Sequence, residues 1–189
     1  MIRILAGVFF LALVGCVAGG GGSYYAFQMT ALYSWRQLGY VQSQGPVPLV
    51  VHGNPFAGVP AEPFARNVAA AMTGANAGPP LRFTIDPPAP TRQANYYVVV
   101  VFGSGWVGGS DLCQVKRPEV QPSGPKVHAE AAFCIDERRI SEIKGDMAAE
   151  ASGPDDPNFI GFMRGLTANL MPLRDAVNEQ RRCPPGILC

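Results

Sequence analysis

Three glycines, Gly103, Gly105 and Gly108, stand in G-x-G-x-x-G spacing directly after the apolar run YYVVVVF. Glycines in that order could turn a strand into a helix whose N-terminal amides seat a pyrophosphate. The chemistry needs the helix, because the helix supplies the donors. The text that follows, GGSDLCQVKRPEVQPSGP, has no 3.6-residue apolar period and soon meets Pro118 and Pro122. The nearest acidic residue, Glu119, stands between Pro118 and Val120 and not at the end of a second parallel strand. The segment is therefore expected to be a loop or bulge after a central strand, and neither a nucleotide nor another cofactor is expected.

Nucleophilic catalysis would need Ser104 on a G-x-S-x-G elbow, but the text reads G-S-G-W and again lacks the downstream helix. A Ser104, His128 and Asp146 triad can be drawn, yet no spacing selects it, and His128 is expected as a solvated strand residue. His52 ends a strand before Gly53-Asn54-Pro55 and is expected to hydrogen-bond within that turn, although a strand end is also where an imidazole can work. Cys113, His128 and Cys134 match no compact ligand pattern, so no metal is expected. Asp136-Glu137-Arg138-Arg139 reads as a solvated hairpin turn, and Asp155-Asp156 as the start of a helix rather than an acid/base pair.

The elements that would position these residues follow from periodicity. Tyr24, Phe27, Ala31, Trp35 and Leu38 recur at helical intervals, so residues 24–45 are expected to form an aromatic arm, helical or irregular. A strand is expected over Val47 to His52, and another over residues 81–86. Between them, AEPFARNVAAAMTG places Phe64, Val68, Ala71 and Met72 on one helical face and ends at Gly74. YYVVVVF has β-branched residues on both faces and predicts a covered central strand. KVHAEAAFCIDERRISEIKGDM predicts a hairpin with Val127, Ala129, Ala131, Phe133 and Ile135 inward and His128, Glu130 and Asp136 outward. PDDPNFIGFMRGLTANLMP predicts a helix capped by Asp156, begun by Pro157, striped by Phe159, Phe162, Met163, Leu166 and Leu170, and stopped by Pro172. The whole predicts an α+β, two-layer domain over residues 46–189, its largely antiparallel sheet packed by two main helices.

The chain opens MIRILAGVFFLALVGC, one arginine and then an apolar run from Ile4 to Val14, the layout of an export signal. Leu13-Val14-Gly15-Cys16 resembles the lipobox of bacterial lipoproteins. The resemblance implies removal of residues 1–15, acylation of Cys16, and a position on the periplasmic side of the cell envelope, with Val17 favouring the outer membrane. The alternative is a single uncleaved N-terminal anchor, but the apolar stretch is about 15 residues, short of the roughly 20 that a spanning helix needs. Residues 16–23 then read as the lipidated cysteine and a glycine-rich tether. Setting Cys16 aside leaves Cys113, Cys134, Cys183 and Cys189, an even number suited to disulfides in an oxidising space. Of the three connectivities, Cys113–Cys134 with Cys183–Cys189 is favoured, because CPPGILC closes a short loop already bent by its prolines.

Hydrophobic residues make up 48% of the 189, charged residues 15%, and the formal net charge is +1, which excludes the basic footprint of a nucleic-acid binder. Without a catalytic constellation, the expectation is not an enzyme but a lipid-anchored envelope accessory or scaffold protein. Its membrane contact is the anchor, its partner an envelope protein, and its contact residues Tyr24, Tyr25, Trp35 and Trp106. The alternative is a binding module for a small apolar or lipid ligand near Phe64, Met72, Phe162 and Met163. A third reading is a hydrolase using Ser104 or His52.

Overall fold

The computed structural model describes residues 21–86, 95–103, 112–114 and 126–175. The elements in chain order are β1 (Gly22–Met29), α1 (Gln37–Ser43), β2 (Val47–His52), α2 (Ala61–Met72), β3 (Phe83–Thr84), β4 (Tyr96–Phe102), β5 (His128–Ile135), β6 (Arg138–Met147) and α3 (Pro157–Leu170). They form a two-layer α+β domain, a six-stranded sheet in the order β1-β6-β5-β4-β2-β3 packed by the helices.

The sheet is mixed. Strands β1, β6, β5 and β4 pair antiparallel, whereas β2 runs parallel to both β4 and β3. The parallel part exists because α2 lies between β2 and β3 and returns the chain to the end where β2 began, which a hairpin cannot do. The strand expected over residues 81–86 contracts to Phe83–Thr84. β4 lies inside the sheet, with Val98 to Phe102 buried, as its unbroken apolar run requires.

Both main helices sit on one face. Phe64, Val68, Ala71 and Met72 of α2 and Phe159, Phe162, Met163, Leu166 and Leu170 of α3 are all buried. Asp156 caps α3 by accepting from the Asn158 amide at 2.8 Å, and Pro157 opens the helix. Hydrogen bonds from the Ser152 and Asn158 amides hold the Asp156 carboxyl below its ordinary pKa. The layers lock through edge and tilted contacts among Phe56, Phe64, Phe102 and Phe159, with centroids 5.1–6.0 Å apart. Phe64, Phe102 and Phe159 are fully buried, and each contributes roughly 1.5–3 kcal/mol. Phe64, Met72, Phe162 and Met163 thus lie within the continuous core.

The expected arm is part of this domain. Residues 22–29 form the edge strand β1 on β6, so Gly22 and Ser23, read above as tether, already belong to the sheet, and only α1 of the segment is helical. A bulge explains the misleading spacing. The register shifts between Tyr25 and Gln28, with Ala26 at φ 53°, so that Tyr24 and Phe27 both pack on the core although three residues apart. Three residues is a helical interval, and one inserted residue in a strand imitates it. Tyr24 stacks on Phe162, its hydroxyl donates to the Phe162 carbonyl at 2.9 Å, and its ring lies against Gly145 and Gly165, where a Cβ would collide with it.

Candidate functional site

The sheet face turned away from α2 and α3 carries the polar chemistry. In the β5–β6 hairpin the turn residues Asp136 and Glu137 both have positive φ, 45° and 64°, the geometry that closes a two-residue hairpin. Register then shifts by one between Phe133 and Cys134, so Ala131 meets Ile143 and Glu130 meets Lys144. Without that bulge Ala131 would face Glu142 and a carboxylate would enter the core. The shift also brings His128 opposite Asp146.

The result is a charge cluster across three strands. His128 Nδ1 lies 2.7 Å from Asp146 Oδ1 and 3.4 Å from the Tyr25 hydroxyl. Its Nε2 lies 3.5 Å from Glu130 Oε1, which also accepts from Lys144 Nζ at 2.8 Å. Glu130 is 2% exposed, and its Oε2 has no hydrogen-bond partner. His128, expected as a solvated strand residue, is only partly open, and Glu130 on the same outward row is enclosed. Nearby, Arg139 Nη1 pairs with Glu142 at 2.6 Å.

His128 and Asp146 of the drawn triad do meet, while Ser104 lies outside the described residues. A serine relay needs Nε2 free to take the hydroxyl proton. Here Nε2 is directed at a buried carboxylate, so the arrangement favours storing a proton on the imidazole over passing one on. Glu130 is the first cause that raises the His128 pKa above its ordinary 6.5, with Asp146 adding and burial opposing. The Glu130 contribution acts as a side-chain hydrogen bond to the ring, which favours the charged imidazolium. A raised folded pKa means stabilisation that is complete below about 6.5, the unfolded value, and is lost as pH rises through the folded value. Urea unfolding should accordingly show wild-type stability declining above pH 6.5, and His128→Gln should flatten that decline. An equally steep decline in the variant would dissociate His128 from the effect.

Farther along the same face, Tyr97 pairs with Cys134 in the β4–β5 register, and Cys134 forms a disulfide with Cys113. The bond draws residues 112–114 over the sheet, where Leu112 packs with Val99, Val101 and Ala132. The two thiolates of the proposed metal set are spent in this bond, and among the described residues no three His, Cys, Asp or Glu side chains are grouped to hold a metal. Beside the bond is a cleft of about 210 Å³ lined by Val50, His52, Tyr97, Val99, Leu112, Cys113, Gln114 and Glu137. The Tyr97 hydroxyl donates to the Cys113 carbonyl at 2.7 Å. His52 makes no hydrogen bond within its turn; Asn54 does that instead, accepting from the Phe56 amide and donating to the Val59 carbonyl.

Of the expected contact residues, Tyr25 and Trp35 are exposed, at 42% and 36%, whereas Tyr24 is turned inward onto α3. Trp106, Cys16, Cys183 and Cys189 lie outside the described residues, as do Gly105 and Gly108. Leu32 and Leu173 are exposed as well, at 43% and 58%, and the Trp35 amide donates to the Arg174 carbonyl at 3.1 Å. Among the described residues no helix is long and apolar enough to cross a membrane. Comparison with protein-family models, with curated proteins and with solved structures finds no match to this chain.

Proposed function

We propose that this protein is a lipid-anchored accessory domain of the bacterial cell envelope that docks a protein partner through the surface of Leu32, Trp35 and Leu173. The carrying observation is the exposure of three large apolar side chains, at 43%, 36% and 58%, on two segments held together by backbone pairing of Ser34 with Asp175 and of Trp35 with Arg174. Tyr33 between them is buried and donates its hydroxyl to the Pro172 carbonyl, and Ser34 bridges to Asp175. Ordered, exposed apolar side chains of this size mark an interaction site. The Arg36 guanidinium lies 5.8 Å from the Trp35 ring and its side chain is 70% exposed, which suits a partner with carboxylates around an apolar centre.

The anchor reading is supported by the lipobox residues and by the paired Cys113 and Cys134, which suit an oxidising compartment. Intact mass from the native membrane should show a chain starting at Cys16 with acyl mass; retention of Met1 would defeat the lipoprotein reading. A photo-crosslinking residue at position 35 should give a discrete protein adduct in native cells, and Leu173→Glu should reduce that adduct by roughly 30-fold, the loss of one interface hot spot, without shifting the thermal transition. Adducts with lipid alone would overturn the docking reading.

A further inference from the structure

We propose that the cleft on the sheet face opposite the helices is a binding site for a small apolar amine, and that the Cys113–Cys134 disulfide builds one of its walls. The floor is apolar. Val50 and Val99 are register partners on β2 and β4, and Val50 remains 40% exposed in mid-sheet, so a ligand there would cover a surface the fold leaves open. Leu112 and Cys113 form the wall. Three independent restraints hold it: the disulfide, the Tyr97 hydroxyl on the Cys113 carbonyl, and Leu112 packed against Val99 and Val101.

The polar groups set the ligand's charge. Among the described residues the lining holds one carboxylate, Glu137, and no lysine or arginine. The His52 ring lines the cleft, with no side-chain hydrogen bond to another described residue, and Gln114 contributes an amide. Burial pushes the His52 pKa below its ordinary 6.5, so at neutral pH its ring is uncharged and offers an acceptor nitrogen. An ammonium group would meet Glu137 at one end of the cleft, with the neutral His52 ring lining the other, whereas a carboxylate would meet no cation among the described residues. The volume of about 210 Å³ lies below the usual range for drug-sized ligands and, at interior packing density, suits on the order of ten non-hydrogen atoms.

The site differs from the patch at Trp35, so the two proposals stand or fall separately. The test is a titration of the full oxidised chain with 2-phenylethylamine, and separately with phenylacetate, followed by backbone and side-chain NMR. The expected result is saturable shifts at Val50, His52 and Val99 with the amine and at least fivefold weaker binding of the acid. Glu137→Gln should weaken the amine by about fivefold, the worth of one exposed charge contact. Val50→Trp, at an exposed position, should fill the cleft and abolish binding while the rest of the spectrum is retained. Reduction of the disulfide should abolish binding as well. Equal binding of phenylacetate, shifts that map elsewhere, or undiminished binding in Val50→Trp would each overturn the proposal.

Discussion

Lys144→Ala is expected to lower folding stability by about 3 kcal/mol, as measured by urea unfolding at neutral pH. Removing the ammonium leaves Glu130, 2% exposed, with His128 Nε2 at 3.5 Å as the nearest cationic partner of a carboxylate whose second oxygen already has none. Enclosed charge without a partner costs far more than a surface ion pair gains. The contrast is with Arg66 of helix α2 and its pairs with Glu62 and Asp86, all well exposed, whose loss should change little. A control separates lost pairing from lost packing. Glu130→Met with Lys144→Met replaces both charges by apolar chains of similar length and should recover most of the deficit, since a buried pair and an apolar pair are often equal in stability. A loss below about 1 kcal/mol in Lys144→Ala would show that water reaches Glu130 and that the cluster is a surface feature.

Cys113→Ser with Cys134→Ser should cost about 3 kcal/mol in guanidinium unfolding, from closure of a loop between residues 21 apart in sequence. Much of this acts on the unfolded chain, whose ends are no longer tied. The folded state is affected too, because the bond holds Leu112 over Val99 and Ala132, the one apolar cover on that face among the described residues. The signature is the reductant response at neutral pH. Wild type should lose stability when reduced, and the double variant should not lose that amount a second time. A double variant as stable as oxidised wild type would mean that Leu112 and the Tyr97 hydroxyl hold the segment unaided.

Both effects arise on the face that periodicity described least well. Alternation in HAEAAFCI correctly sends Ala129, Ala131 and Phe133 to the helices, because a period of two fixes which side chains share a face. It cannot say what covers the opposite face. Glu130 lies on that outward face as the alternation predicts, yet its neighbours enclose it. Lys144 could have been found from sequence by pairing the hairpin, but a two-residue turn alone gives the wrong partner. The bulge between Phe133 and Cys134 shifts the register by one, and only that shift sets Glu130 against Lys144 and His128 against Asp146.

Local chemistry was sufficient for α2 and α3, including the Asp156 cap and both buried stripes, because a helix satisfies its own backbone and shows its packing face at fixed intervals. It was sufficient as well for the buried central strand and the hairpin, while the Cys113–Cys134 bond is one that the sequence favours among three connectivities without deciding it. Tertiary structure decided the parallel placement of β2, the conversion of the supposed arm into an edge strand, and the cleft beside the disulfide. Each of these depends on which strand finds which neighbour and in what register. A strand's backbone partners lie elsewhere in the chain, and one inserted residue, as at Ala26, changes the face that a side chain presents without altering the residues around it in sequence.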